Sequence, residues 1–325
     1  MFYPFVFFLG MLLTALFSEA VLQHFWIAQM LKMRIEQVTK MYGPSWHDKA
    51  KMGTPSMGGV VFVLVYLVMF VAVAVYCRFP ADLCLASVLY PLAAACVGFV
   101  DDWLKYKSNS SEGLKSLQKL FMQILITVPL AVYAVDGEFV LIANIVLPRW
   151  AGILFVSILG VTILNAVNVT DGLDCLAAGC TLITFAGIKA FMTLDPVTYV
   201  VLAVTAGICM GFLWHNANPA KVFMGDCGSH FLGAVIFVIC LNCNAVLYMI
   251  PLSFIFMIEI LSVAIQIFAI RKLHRKVFLM SPIHHHFELK GWGENQVVMR
   301  FWIMHMLGAL MGTMLLSVIE MYLSK

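Results

Sequence analysis

Apolar segments long enough to cross a lipid bilayer recur along the whole chain, and this feature limits the possible folds more than any other. A transmembrane helix needs about 20 predominantly apolar residues. We count ten such segments, with approximate bounds 2–31, 56–76, 83–104, 117–135, 151–168, 172–192, 197–214, 228–242, 246–270 and 301–323. The sequence therefore predicts an all-α, polytopic membrane protein with ten transmembrane helices.

The composition supports the same fold class. Of the 325 residues, 62% are hydrophobic and only 11% are charged, whereas soluble domains carry about 25% charged residues. Most of the outer surface must therefore face lipid. No low-complexity tract or internal repeat is evident, so we expect residues 1–325 to form a single integral-membrane domain. The nine cysteines show no disulfide framework, and we interpret them as small, reduced thiols within apolar runs.

The basic residues predict the orientation of the chain. An even number of spans places both termini on one side of the membrane. All but four of the 20 Lys and Arg residues lie in loops on the opposite side, the exceptions being Arg78, Arg149, Lys189 and Lys325. Cytoplasmic loops carry an excess of Lys and Arg, so we expect both termini outside and the polar segments at the cytoplasmic face.

Two adjacent aspartates end the third span. Asp101 and Asp102 lie near the C-terminus of a helix, where the helix dipole disfavours carboxylates. Asp101 can pair with Lys105 at i,i+4, whereas Asp102 points about 100° away. A solvated helix end would explain the pair without any function. We favour a functional interpretation, because Mg²⁺ or a substrate would offset the repulsion between the two carboxylates.

Polar residues also surround the sixth and eighth spans. Asn165, Asn168 and Asp171 share a face if the fifth helix continues. Asp171 or Asp174 could instead cap the sixth span, but capping does not explain two asparagines at the end of an apolar span. Asp226 precedes the eighth span between two glycines, and it is either an N-cap or an oxygen ligand for a hard cation.

Three consecutive histidines, His284, His285 and His286, lie between the last two spans. Consecutive residues cannot share one helical face, so we expect a loop in which the three have different roles. Zinc is an alternative for a histidine tract, but the carboxylates elsewhere suit Mg²⁺ better. With no Walker A sequence, ATP is not implied. Acids, amides, lysines and histidines on one face indicate metal-dependent chemistry on phosphates.

These segments resemble, in order and over nearly the whole chain, those of the polyprenyl-phosphate N-acetylhexosamine-1-phosphate transferase superfamily. Asp101-Asp102 resembles its aspartate pair, 165–174 its Asn/Asp motif and 223–226 its metal loop. The Pro-Ile-His-His-His-Phe-Glu run at 282–288 is diagnostic of the phospho-N-acetylmuramoyl-pentapeptide transferase branch, and 51–59 agrees with it. Cys175 stands where Gly is usual and Ser56 where Thr is common, changes that could alter inhibitor contacts.

The resemblance implies a reaction in peptidoglycan synthesis at the bacterial inner membrane. UDP-MurNAc-pentapeptide and undecaprenyl phosphate give undecaprenyl-pyrophosphoryl-MurNAc-pentapeptide (lipid I) and UMP, with Mg²⁺ as cofactor. It also implies membrane-lipid contacts, a homodimer and no nucleic-acid partner. Whether an aspartate attacks the sugar phosphate covalently or deprotonates the lipid phosphate remains open.

The resemblance also assigns roles to individual residues. Asp226 is the expected metal ligand, uridine is expected near residues 172–174 with Phe223 stacked on uracil, and His284 is the most critical histidine. The implied catalytic residues are Asp101, Asp102, Asp226 and His284. The implied substrate-binding residues are Lys49, Lys105, Asn165, Asn168, Asp171, Gly172, Leu173, Asp174, Asn216, Phe223, His285 and His286.

Two other functions remain as alternatives. A GlcNAc-1-phosphate transferase of the same superfamily would share the aspartates but should differ in the histidine segment. A transporter or lipid flippase would place its charges near the bilayer midplane, whereas here they cluster at one face. Glu259, deep in the ninth span, is the main exception. An intramembrane carboxylate is a functional candidate, and a hydrogen bond to a neighbouring helix is its structural alternative.

Overall fold

The computed structural model describes residues 2–33, 35, 53–108 and 110–324. Lys49, one of the expected substrate-binding residues, lies outside them. The elements are α1 (Phe2–Met33), α2 (Gly59–Cys77), α3 (Ala81–Ser108), α4 (Ser116–Ala134), β1 (Phe139–Ile142), β2 (Ile145–Leu147), α5 (Arg149–Thr170), α6 (Leu176–Phe191), α7 (Pro196–Asn216), α8 (Gly225–Asn242), α9 (Met249–Leu252), α10 (Phe254–Leu273), α11 (Ile283–Leu289) and α12 (Glu294–Leu323).

The chain is an all-α polytopic membrane protein, as its apolar segments predict. Within the described residues, nine helices are long and apolar enough to cross a membrane. The predicted sixth span, 172–192, is the exception to the expected ten. It forms the 16-residue helix α6, which covers only about 24 Å, whereas the hydrocarbon core is about 30 Å thick.

Two further boundaries differ from the sequence prediction. The expected ninth span, 246–270, is divided at Ser253 into the short helix α9 and the long helix α10. Pro251 lies at this break and has no amide hydrogen to donate. Between α4 and α5 the chain forms an antiparallel hairpin in which Phe139 pairs with Leu147. The hairpin is too short for a periodic pattern to predict.

Helices α7 and α8 lie at the centre of the bundle and are its most buried spans, whereas α1 and α12 are mostly exposed along their apolar faces. Helix α2 begins directly against α8. A Cβ atom on Gly59 would lie 2.1 Å from the backbone nitrogen of Gly228, so only glycine permits this crossing. The crossing fixes the N-terminus of α8 against that of α2.

Candidate active site

Three aspartates converge where the end of α3 meets the start of α8. Asp101 and Asp102 lie near the C-terminus of α3, and Asp226 lies in the first turn of α8. All three are buried, and each offers a carboxylate oxygen within 4.8 Å of the others. The aspartate pair and the metal loop of the sequence analysis therefore form one cluster.

Asp102 is held by the N-terminus of α8. Its Oδ1 accepts from the backbone N–H of Asp226 at 3.1 Å, and its Oδ2 accepts from that of Cys227 at 3.0 Å. A helix N-terminus carries partial positive charge and unpaired N–H groups. Asp102 is therefore stabilised by α8 although it lies near the unfavourable end of its own helix, and its carboxylate fixes the two helices together.

Two lysines supply positive charge within the cluster. Lys105 Nζ lies 2.5 Å from Asp101 Oδ2 and 2.9 Å from Asp226 Oδ2, so the predicted i,i+4 pairing is confirmed. Lys119, in the first turns of α4, donates to Asp226 Oδ2 at 2.5 Å and lies 3.8 Å from Asp101 Oδ2. Lys119 was not among the expected site residues, because the sequence placed it only among the basic residues of the loops.

The end of α5 contributes two asparagines with different environments. Asn168 Nδ2 donates to Asp226 Oδ1 at 2.8 Å and to Ser229 Oγ at 2.9 Å, so it belongs to the cluster. Asn165 Nδ2 instead donates to Gln123 Oε1 at 2.8 Å. Gln123 Nε2 lies 2.9 Å from His230 Nε2. The sequence did not identify Gln123 and His230, which form a layer behind the aspartates.

The donor set fits Mg²⁺. Hard divalent cations take oxygen ligands, and Mg²⁺ is usually bound by one or two carboxylates together with substrate phosphates. Asp102 has both oxygens committed to backbone N–H groups. Asp101 and Asp226 instead pair with lysine side chains, and each could supply a carboxylate oxygen to an ion, while Lys105 and Lys119 would face the phosphates.

A second polar group surrounds the turn between α5 and α6. Asp174 Oδ2 accepts from Asn218 Nδ2 at 2.9 Å and from the backbone N–H of Ala220 at 3.0 Å. Glu294, at the start of α12, accepts the backbone N–H of Asp174 at 2.8 Å. The N-cap of α6 is Cys175 and makes no side-chain cap bond. Asp171 ends α5, donating its backbone N–H to Val167 O at 3.2 Å.

Asn216 links this turn to the metal loop. Its Oδ1 accepts from the backbone N–H of Cys175 at 2.8 Å, and its Nδ2 donates to Val222 O at 2.8 Å. Burial and the charge of Asp174 raise the pKa of the Cys175 thiol to about 11, so the thiol stays protonated.

Phe223 is the residue after Val222 in the metal loop, and its side chain is half-buried. Its backbone N–H donates to Pro55 O at 2.9 Å.

The histidine tract forms a helix, so the loop predicted for it is wrong. Ile283–Leu289 is the seven-residue helix α11, too short to show a periodic pattern. The predicted divergence of the three side chains is nevertheless confirmed. His284 Nδ1 lies 3.0 Å from Glu259 Oε1, and His285 Nδ1 lies 2.7 Å from Glu288 Oε2. His286 Nδ1 accepts the backbone N–H of Leu279 at 3.1 Å.

Comparison with known proteins agrees with this arrangement. The model of glycosyl transferase family 4 matches residues 84–244. A phospho-N-acetylmuramoyl-pentapeptide-transferase of Lacticaseibacillus paracasei is 38% identical over 280 residues, covering 84% of this chain and 87% of the relative. Proteins with the same name from Mycobacteroides abscessus and Staphylococcus epidermidis are 40% and 34% identical, covering 81% and 92% of this chain and 83% and 96% of theirs.

The chain belongs to the phospho-N-acetylmuramoyl-pentapeptide transferase family.

Membership of this family confirms the resemblance that the sequence motifs indicate. It identifies the chain as a multi-pass membrane enzyme, a phosphoglycosyl transferase. The family model spans the aspartate pair, the 165–174 motif and the metal loop. The histidine helix α11 lies beyond the residues matched by the family model. The similarity to the Staphylococcus epidermidis relative covers 92% of this chain, which is enough to include α11.

Proposed function

We propose that the protein transfers phospho-MurNAc-pentapeptide from UDP-MurNAc-pentapeptide to undecaprenyl phosphate, giving lipid I and UMP in peptidoglycan synthesis. The observation that carries this proposal is the buried convergence of three aspartates with two lysines in a chain of this family. Exchange of one phosphoanhydride for another needs carboxylates that can bind a metal ion and accept a proton. It also needs cations that bind the phosphate oxygens.

Four residues of the cluster have direct roles in this proposal, while Asp102 fixes the end of α3 to the start of α8. Asp226, with Asp101, would hold Mg²⁺, which when bound would supply positive charge to offset that of the pyrophosphate. Lys105 and Lys119 bind the phosphate oxygens. Asp101, whose Oδ1 is fixed by the backbone N–H of Leu114 at 2.8 Å, acts as the base or the nucleophile. Trapping a phosphosugar adduct on Asp101 would decide between these two routes.

The proposal includes the location of the reaction. The described site lies at one end of the bundle, where α3, α5 and α7 end and α4, α6, α8 and α12 begin. The excess of Lys and Arg in the loops at that end supports a cytoplasmic active site in the bacterial inner membrane. Because α5 and α7 both end here, the short helix α6 leads back to the opposite end, so the number of crossings stays even and we expect both termini outside. We expect a single integral-membrane domain that assembles as a homodimer. Both substrates reach this end, the nucleotide from the cytoplasm and the polyprenyl phosphate from the bilayer.

Release of UMP by the detergent-purified protein tests the proposed function. With UDP-MurNAc-pentapeptide, undecaprenyl phosphate and Mg²⁺, we expect UMP and lipid I in equal amounts. A parallel reaction with UDP-GlcNAc tests the GlcNAc-1-phosphate transferase alternative and should give neither product. A transporter would release no UMP from either nucleotide. Activity with UDP-GlcNAc alone would overturn the proposed substrate.

Replacement of Lys119 by methionine should reduce turnover about 100-fold, because it removes a cation held against Asp226 while keeping most of the side-chain length. Steady-state rates with UDP-MurNAc-pentapeptide measure the effect. Lys107→Met is the matched control, since Lys107 is an exposed lysine at the end of α3 and should leave the rate unchanged. Equal rates in the two variants would remove Lys119 from the site.

Replacement of Phe223 by alanine should weaken binding of uridine-containing inhibitors by about 1–3 kcal/mol, the usual cost of losing a base-stacking aromatic ring. Isothermal titration of such an inhibitor measures the change. Phe121→Ala is the control, because Phe121 is 65% exposed on α4 and should contact lipid only. An unchanged dissociation constant in Phe223→Ala would place the uridine pocket elsewhere.

A further inference from the structure

Glu259 is a buried carboxylate that contacts the histidine helix. It lies within the membrane-spanning helix α10 and its side chain is fully buried. Both of its oxygens have partners on α11. Oε1 lies 3.0 Å from His284 Nδ1, and Oε2 accepts the backbone N–H of Ile283 at 2.8 Å. One carboxylate therefore fixes both the start of α11 and the ring of its first histidine.

This contact determines which ring nitrogen of His284 carries a proton. A carboxylate accepts hydrogen bonds and cannot donate one, so Nδ1 must be the donor. In the neutral imidazole, Nε2 is then the nitrogen with the free lone pair. If the ring takes up a second proton, that proton resides on Nε2, and the carboxylate stabilises the imidazolium. The same logic operates wherever a carboxylate orients a catalytic histidine.

The free nitrogen of His284 lies next to the 165–174 segment. His284 Nε2 is buried and has no hydrogen-bond partner among the described residues. It lies against the turn after α5, because a Cβ atom on Gly172 would be only 2.4 Å from it. Gly172 lies two residues beyond Thr170, the end of α5, and the last turn of that helix carries Asn168, which binds Asp226. A buried ring nitrogen without a hydrogen-bond partner costs free energy, and a hydrogen bond with a substrate group would remove this cost.

We infer that Glu259 is a positioning residue for His284, holding Nδ1 so that Nε2 is presented to the phosphates of the substrate. The inference rests on the proposed function, since it assigns His284 an active part in the transfer. Glu259 itself touches no reacting atom. It acts through the orientation and the proton position of the ring, as carboxylates behind metal-bound histidines do.

Replacement of Glu259 by glutamine separates positioning from structural support. The glutamine oxygen can still accept the Ile283 N–H, and its amide group can donate to His284 Nδ1. Both hydrogen bonds survive, so the melting temperature should change little. The neutral ring must, however, carry its proton on Nε2, and the amide that donates to Nδ1 can no longer stabilise the doubly protonated, positively charged ring. We expect kcat to fall by about 10- to 100-fold with KM unchanged.

Glu19→Gln is the matched control. Glu19 is an equally buried glutamate in the membrane span α1, and neither of its oxygens has a hydrogen-bond partner among the residues described. The substitution is chemically identical, but it is remote from α11. We expect normal turnover in this variant, so that a loss in Glu259→Gln cannot be a general effect of removing a buried carboxylate.

Two measurements decide the inference. In a double-mutant cycle, Glu259→Gln should cost nothing further in a His284→Ala background, because the ring through which it acts is gone. In ¹⁵N NMR of histidine-labelled protein, the His284 signals should show protonated Nδ1 in the parent and protonated Nε2 in Glu259→Gln. Normal turnover in Glu259→Gln, an equal loss in both backgrounds, or identical ring signals would each overturn it.

These outcomes remain distinct from failure of the proposed function. If the parent protein releases no UMP, the proposed reaction is wrong, and the NMR result still reports whether Glu259 sets the proton position. If the parent is active and Glu259→Gln matches it, the reaction stands and only the positioning role is lost.

Discussion

Asp226→Asn should reduce transfer by at least about 10³-fold, corresponding to about 4 kcal/mol of transition-state free energy. Asp226 Oδ2 accepts from Lys105 and Lys119, and Oδ1 accepts from Asn168. An asparagine turns one of these acceptors into a donor. One partner must then face an N–H group, and the negative charge that binds a cation is lost. No other residue of the cluster combines so many contacts in one carboxylate.

The experiment compares turnover and melting temperature over a range of Mg²⁺ concentrations. Asp195→Asn is the control, because Asp195 also lies at a helix N-terminus, accepting from Val197 N at 2.9 Å and Thr198 N at 3.1 Å. Asparagine is as good an N-cap as aspartate, so this variant should keep its stability and its rate. Near-normal turnover of Asp226→Asn at ordinary Mg²⁺ would falsify the metal assignment.

The sequence predicts the spans and the acidic end of the bundle because both depend on local patterns. Apolar length identifies a membrane helix without knowledge of its neighbours. The pairing of Asp101 with Lys105 follows from i,i+4 spacing within α3. The position of the polar residues at alternate span ends places them on one face, provided that the spans are counted correctly.

Contacts between distant segments follow no such pattern. Lys119 reaches Asp226 across 107 residues, and neither residue's neighbours indicate the pairing. The support of Asp102 by α8 is of the same kind, since it depends on the close approach of α3 to α8 at Gly98, where a Cβ atom would lie 2.1 Å from Asp226 O. The sequence identifies Glu259 only as a carboxylate in an apolar span and does not indicate its partners. Its partners on α11 lie 24 and 25 residues further along the chain, and only the three-dimensional structure shows that α11 packs against this part of α10.

The length of an element also limits what a pattern can predict. The histidine tract was predicted to be a loop because three adjacent ring side chains suggest divergence. Seven residues are enough for a helix to turn them apart, with Pro282 as the N-cap residue before it, a position that tolerates the missing N–H. The helix is stabilised from outside by Glu259, which accepts the N–H of Ile283.

His284→Ala should reduce turnover by about 10²- to 10³-fold, the usual cost of losing a donor to a developing charge. His284 is buried and its Nε2 faces Gly172. His284→Gln keeps a hydrogen bond to Glu259 but cannot carry an imidazolium charge, so it should recover little activity. His285 binds Glu288 and His286 binds the backbone of Leu279.

The four variants His284→Ala, His284→Gln, His285→Ala and His286→Ala separate this role from ordering of α11. Turnover and melting temperature are measured on each. An active role for His284 predicts a large loss of turnover in both of its variants at nearly unchanged melting temperature, and smaller losses in the other two. If the tract only orders α11, the three alanine variants lose turnover in step with stability, and His284→Gln is nearly as active as the parent protein.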